Sequence, residues 1–257
     1  PDISNAFYAE ISKTVQEKLY ESGYNTFIVN TNDDMELEKV LMRELIQRSI
    51  DGMIIAPSNN IKDLIPILLE THIPVVFTDR PGDENADYVG LDNKGEGGKL
   101  IDFFSVKPKR VVALVPSPSN VSTIQDRIEG TKEACEKARI DFGYLDLSDD
   151  QKKIDQQIAI ELKNGTDSFV ALNNRCTLPT LSALNKAGVK IPDEVRLISF
   201  DDNEAFEYMK PPISAFRQPI LDIALQSVDR LYSRLKESKT PGKHFILPCE
   251  FIERGSH

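Results

Sequence analysis

Along most of its length the chain alternates short apolar runs with segments whose apolar residues recur every three or four positions. This beat restricts the fold to parallel sheets packed between helices. Tyr8, Ile11, Val15 and Leu19 recur at helical spacing, with Gly23 as the stop. Residues 26–29 (TFIV) read as the strand that follows. A second helix carries Leu37, Val40, Leu41 and Leu45 on one face and leads to a strand at 52–56. A third, at about 62–71, gives way at Pro74 to a strand at 75–78. Beyond Asp92 the spacing predicts helices at 96–104, 123–138, 152–163 and 178–187, and strands at 111–115, 142–147, 168–172 and 197–200. About nine or ten strands are more than one twisted sheet commonly holds, so two sheets are expected. No Gly/Ser linker divides the chain, which implies short crossovers between them.

Several function classes are excluded by composition. The net charge is -10 and Lys and Arg form no cluster, so this chain does not itself grip nucleic acid or an anionic membrane surface. No apolar run approaches the roughly 18–20 residues of a membrane span, and the start carries no signal-peptide pattern. Cys135, Cys176 and Cys249 are odd in number and far apart. They fit buried, reduced thiols in a cytoplasm better than a disulfide framework. Residues 254–257 (RGSH) are equally a native end or a tag stub, and no functional argument is built on them.

Catalytic patterns are lacking. His72, His244 and His257 have neither metal-pair spacing nor a nucleophile beside them. Gly95, Gly97, Gly98 and Lys99 superficially resemble a phosphate loop. Leu100 stands where its Ser or Thr belongs, however, and the leading glycine is absent, so these glycines read as close packing at a helix start. What the sequence does offer is polar residues at the ends of successive strands. Asp79 and Arg80 follow 75–78, Asn173 and Asn174 follow 168–172, and Asp201 and Asp202 follow 197–200. Arg127 falls in the first turns after the strand at 111–115. Ligands of open α/β sheets collect at the carboxyl ends of the strands. Carboxylates and amides can pair with vicinal hydroxyls, and arginine supplies a planar fork, so the inventory suits a polyhydroxylated ligand. Phe7 and Tyr8 would offer an apolar face to its ring. An Asp after a strand also serves as an ordinary cap, and Asp202 is read as that turn residue.

The ordered motifs PDISNAFY at 1–8, VGLDN at 89–93, RIEG at 127–130, FVALNN at 169–174, AGVKIPDEV at 187–195, SFDD at 199–202 and PPISAFRQP at 211–219 resemble the lactose-repressor (LacI/GalR) family of bacterial regulators. The resemblance covers essentially the whole chain, its opening matching the end of that family's first effector-domain strand. It implies a periplasmic-binding-protein-like α/β fold: two doubly wound parallel-sheet lobes with a ligand cleft between them. Carried onto this chain, the N-terminal lobe takes 1–92 with 219–246 and the C-terminal lobe 93–218 with 247–257. The positions expected to bind the effector are Phe7, Tyr8, Asp79, Arg80, Arg127, Asn173 and Asp201.

The resemblance further implies a cytoplasmic homodimer with no enzymatic activity, metal or cofactor. It senses a small sugar-like effector and reaches operator DNA only through an N-terminal helix-turn-helix domain upstream of Pro1. A periplasmic solute-binding protein of a sugar transporter shares the fold and is the alternative; a small-molecule enzyme on a doubly wound fold is a third reading. Departures from the family pattern are Asn174 where Asp is common, CTLP at 176–179, and the proline-rich loop at 116–120. Pro179 is expected in the first turn of its helix, where proline is tolerated.

Overall fold

The computed structural model describes every residue except 59–62, 118–119 and 238–240. The expected start of the third helix at Lys62, and Pro118 and Ser119 of the proline-rich loop, therefore lie outside the described residues. In chain order the first elements are α1 (Ala6–Glu21), α2 (Met35–Gln47), β1 (Met53–Ile55), α3 (Ile65–Thr71), β2 (Val75–Thr78), β3 (Asp87–Gly90) and α4 (Asn93–Lys99). There follow β4 (Arg110–Pro116), α5 (Ser122–Ala138), β5 (Asp141–Leu147), α6 (Gln151–Lys163), β6 (Ser168–Ala171), α7 (Asn174–Ala187) and β7 (Arg196–Phe200). The last are β8 (Ser214–Arg217), α8 (Ile220–Lys236), β9 (His244–Ile246) and β10 (Glu250–Ile252). The chain divides into two compact units: Pro1–Leu91 with Pro219–Leu247, and Asp92–Gln218 with Pro248–His257.

In the first unit α1 starts where Asn5 Oδ1 accepts the Phe7 N–H at 3.1 Å, and it buries Phe7, Ile11, Val15 and Leu19 along one stripe. The sheet runs β1-β2-β3-β9, every pair parallel. Asp87 of β3 is fully buried and accepts from Arg230 (2.9 Å) and Arg234 (2.5 Å) of α8 and from the Lys243 N–H (2.8 Å), which ties helix and β9 to the sheet.

Two expectations fail in this unit. Leu37 and Val40 of α2 are 37% and 50% exposed, and the buried face is centred on Glu38 and Met42. The Glu38 carboxylate accepts the Ser58 N–H at 3.0 and 3.2 Å, so a buried acid rotates the face away from the apolar stripe. Residues 26–29 form no strand: they have no ladder partner among the described residues, and Phe27, Ile28 and Val29 are exposed. A strand exists only through its neighbour, which β propensity cannot supply.

The second unit holds the sheet β10-β8-β7-β6-β4-β5, parallel throughout except for β10, which pairs antiparallel with β8. Val111, Val112, Ala113, Leu114 and Val115 of β4 are all fully buried, so helices cover both faces. On one face Val112, Leu114, Phe169 and Leu197 pack with Ile154 and Ile158 of α6 and Leu181 and Leu184 of α7. Helices α4 and α5 meet at glycines. A Cβ on Gly130 would stand 1.8 Å from Lys94 O, and one on Gly97 would stand 2.6 Å from Arg127 O. The glycines of α4 thus set close packing rather than a phosphate site, and they press α4 against the turn that carries Arg127.

Helix α7 begins at Asn174, so Pro179 sits in the second turn, not the first as expected. Residues 254–257 are also part of the fold. Ser256 is fully buried and donates to Leu197 O at 2.5 Å, while Arg254 pairs with Asp202 at 2.7 and 3.1 Å. Among the described residues no helix is long and apolar enough to cross a membrane.

Candidate functional site

Polar side chains gather at the carboxyl ends of the parallel strands in each unit. In the first unit, β2 is followed by Asp79, which takes a left-handed backbone (φ 61°) that Asp tolerates better than most residues. That turn directs Asp79 and Arg80 toward the start of α1. The Tyr8 hydroxyl donates to Asp79 Oδ2 at 2.5 Å, and the Tyr88 hydroxyl donates to Asp79 O at 3.0 Å. Arg80 is 5% exposed; its guanidinium pairs with both oxygens of Asp33 and donates to Pro57 O at 3.1 Å. Its Nε lies 3.7 Å from Asp79 Oδ2, and its Cζ is 5.9 Å from the Tyr8 ring centroid.

Burial first, and then Asp79, pushes the Tyr8 hydroxyl well above its ordinary range, so it stays a donor. Burial works against the charge of Arg80, but Tyr8, Asp33 and Asp79 outweigh it and hold the guanidinium above its usual range. Burial would likewise raise Asp33, yet the Arg80 hydrogen bond brings that carboxyl below the usual range. Phe7 lies on the buried stripe of α1, its ring edge-on to Tyr8 at 5.1 Å.

In the second unit β7 is followed by Asp201, again left-handed (φ 71°) and 7% exposed. Its carboxylate accepts from Gln218 Nε2 at 2.5 Å, from the Asn174 N–H at 3.4 Å and from Asn173 Nδ2 at 3.5 Å. Asn173 also caps α7, its Oδ1 accepting the Arg175 N–H at 2.9 Å. Arg127 is 3% exposed, donates to Asn93 Oδ1 (2.8 Å) and Leu172 O (2.9 Å), and lays its guanidinium 3.6 Å over the Phe200 ring. Asn174 Oδ1 and Gln218 Oε1 are buried acceptors without a hydrogen-bond partner. Buried acceptors in that condition ask for a donor from outside the chain.

The structure therefore brings Tyr8, Asp79 and Arg80 together, with Phe7 behind them, and separately joins Asn173 to Asp201 beside the Arg127–Phe200 stack. Sequence reasoning overlooked Asp33, Asn93, Phe200 and Gln218. Asn93 and Gln218 flank the breaks between the units, and an amide at such a break is the signal that could have found them. Asp33 resembled one more helix-start acid next to the true cap, Asp34. Asp202 is not a simple turn residue: Arg217 (2.7 Å) and Arg254 (2.7 Å) clamp it. Burial raises that carboxyl, but the two arginines bring it below the usual range.

The periplasmic binding protein-like domain model matches residues 103–257. The chain belongs to that family. Its relatives place it among the LacI-type members. The repressor PurR of Aliivibrio fischeri (strain MJ11) is 25% identical over 98% of this chain and 77% of its own length. The ribose operon repressor of Halalkalibacterium halodurans is 24% identical over 99% of this chain and 76% of its own. A LacI family transcriptional regulator from Enterococcus faecium, solved with bound ribose, superposes with a TM-score of 0.86 at 24% identity, covering 100% of this chain and 96% of that one. The family fold is thus the α/β periplasmic-binding-protein-like one, and the polar groups described above lie where open α/β sheets hold ligands.

Proposed function

We propose that this chain is the effector-sensing part of a LacI-type transcriptional regulator, with its two compact units as the lobes. It binds a small, neutral, sugar-like effector through Tyr8, Asp79, Arg80, Arg127, Asn173 and Asp201, with Phe7 backing Tyr8 and Gln218 joining the set. The observation that carries this reading is the pair of unpartnered buried acceptors, Asn174 Oδ1 and Gln218 Oε1, beside the Asp201 carboxylate. Such a surface needs hydrogen-bond donors, and a polyol supplies several. Arg80 is paired in charge with Asp33 and Asp79, while its Nε is buried without a hydrogen bond and offers a ligand oxygen one donor.

The protein works as a cytoplasmic homodimer and meets operator DNA through a separate N-terminal domain. The effector shifts the regulator only by its differential affinity for two arrangements of the protein. The PurR and ribose operon relatives named above are repressors, and the reading assigns this chain no catalytic step, metal or cofactor. A thermal-shift screen of D-ribose, other neutral sugars, sugar phosphates and purines tests it. A neutral sugar raising Tm in the chain but not in Asp201→Asn supports it. A response confined to phosphates or purines overturns the ligand class.

A further inference from the structure

Beneath the Asp201 turn two hydroxyls meet in an otherwise apolar layer. Ser199 is the last residue but one of β7, on the face that carries Leu197, and its ladder neighbours are Ala171 of β6 and Ala215 of β8. Leu197, Ala171 and Ala215 all belong to the apolar core that α7 covers. Thr177 lies in the first turn of α7, within the stretch 176–179 that departs from the family pattern. Both side chains are fully buried, and their hydroxyl oxygens are 2.6 Å apart. Buried hydroxyls cost stability unless they are hydrogen-bonded, so an apolar pair would fill this layer more simply.

The two hydroxyl hydrogens have one arrangement that uses both. Ser199 Oγ also lies 3.1 Å from Phe200 O and 3.1 Å from Asp201 O. If Ser199 donated to Thr177, the Thr177 hydrogen would have no acceptor among the described residues. Thr177 therefore donates to Ser199, and Ser199 donates to the two carbonyls. Those carbonyls bracket Asp201, whose left-handed backbone (φ 71°) persists only where its surroundings hold it. The same turn aims the Asp201 carboxylate at Gln218 Nε2 (2.5 Å) and at the Asn174 N–H (3.4 Å), a donor at the start of α7 that the helix itself cannot bond.

We propose that Thr177 and Ser199 are a positioning pair for the ligand site of this unit. By fastening the first turn of α7 to the turn after β7, they set the Asp201 carboxylate against Asn174 and Gln218 in the geometry that a ligand meets. This rests on the effector reading given above. Without the two hydroxyls the carboxylate and the unpartnered acceptors Asn174 Oδ1 and Gln218 Oε1 are all still present, but their spacing is no longer fixed. A ligand must then order them itself, which lowers its affinity.

Three substitutions separate hydroxyl chemistry from packing. Thr177→Val keeps the shape and removes the hydroxyl, Thr177→Ser keeps the hydroxyl and removes the methyl, and Ser199→Ala removes the hydroxyl between two alanines. Two signals are read without any ligand: hydrogen exchange of the Asn174 amide, and the NMR positions of the Gln218 side-chain NH2. Exchange at Leu114, fully buried in β4, reports whether the unit stays folded. Thr177→Val and Ser199→Ala should speed Asn174 exchange about tenfold and move the Gln218 signals toward those of a free amide, with Leu114 unchanged. Thr177→Ser should match the parent. With D-ribose as the probe, calorimetry should show binding about tenfold weaker in the two hydroxyl deletions and within about twofold of the parent in Thr177→Ser. Unchanged Asn174 and Gln218 signals in both deletions overturn the proposal, as does a Thr177→Ser protein that behaves like Thr177→Val. Because the amide signals need no ligand, silence of the parent in the thermal-shift screen strikes the effector reading and not the pair.

Discussion

Truncating Arg127 separates its structural role from the sensing role proposed for it. The guanidinium donates to Asn93 Oδ1 at 2.8 Å and Leu172 O at 2.9 Å, stacks 3.6 Å over Phe200, and is 3% exposed. Each hydrogen bond from a charged donor contributes about 1.5–3 kcal/mol, and the desolvated stack about 0.5–2 kcal/mol. These terms overlap, because all three depend on one planar group being held in place. Arg127→Ala should therefore lose about 3–5 kcal/mol, a large share of the roughly 5–15 kcal/mol of a typical domain, and remain folded. Urea unfolding followed by far-UV circular dichroism measures it, since the chain has no tryptophan. The midpoint should fall with the slope unchanged. Arg127→Lys, which keeps the charge without the fork, should fall between. Neither variant should show the Tm rise expected of the parent protein with the proposed effector. A loss below about 1 kcal/mol would show that the guanidinium does not hold these partners in solution. An undiminished effector response would remove Arg127 from the binding set.

The buried acids set the response to pH. Asp33, Asp87 and Asp202 are each held below the usual carboxylate range; burial opposes this in every case, and arginine partners outweigh it. Their folded values lie below the unfolded value of about 3.9, so the stability they add is complete above that value and is lost as pH falls through the folded ones. Tm should be steady from about pH 8 to 5 and drop below about pH 4, and Asp87→Asn should flatten that drop. By stranding Arg230 and Arg234, Asp87→Asn should also cost about 3–5 kcal/mol at neutral pH, read from urea unfolding. Deleting residues 254–257 removes the Ser256 hydrogen bonds and leaves Asp202 with Arg217. It should lower Tm by several degrees and speed amide exchange in β10, and an unchanged Tm would mean that this end is not docked in solution.

Much of the fold was readable because burial on both faces leaves a direct trace in composition. The strands at 75–78, 111–115, 168–172 and 197–200 are near-continuous apolar runs, and each forms within a residue or two of its expected limits. Short edge strands left no such trace. β9 and β10 have three residues each and include polar ones, so only their partners define them. The failure at 26–29 has the opposite cause: the local signal is strong, and the neighbour that would make it a strand is not beside it.

By itself the sequence determined the α/β class, the two-sheet division and the strand ends at which Asp79, Asn173 and Asp201 stand, since all of these follow from periodicity and from where apolar runs stop. Tertiary structure alone decided which side chains meet. It joined Arg80 to Asp33 across 47 positions, Arg127 to Asn93 and Phe200, and Asp201 to Gln218. It also turned Asp202 from a turn residue into the anchor of the chain's end through Arg254. The reason is range. Periodicity records what each element buries against the layer beside it, whereas a hydrogen bond between distant residues is fixed only when packing has set the elements' register and spacing.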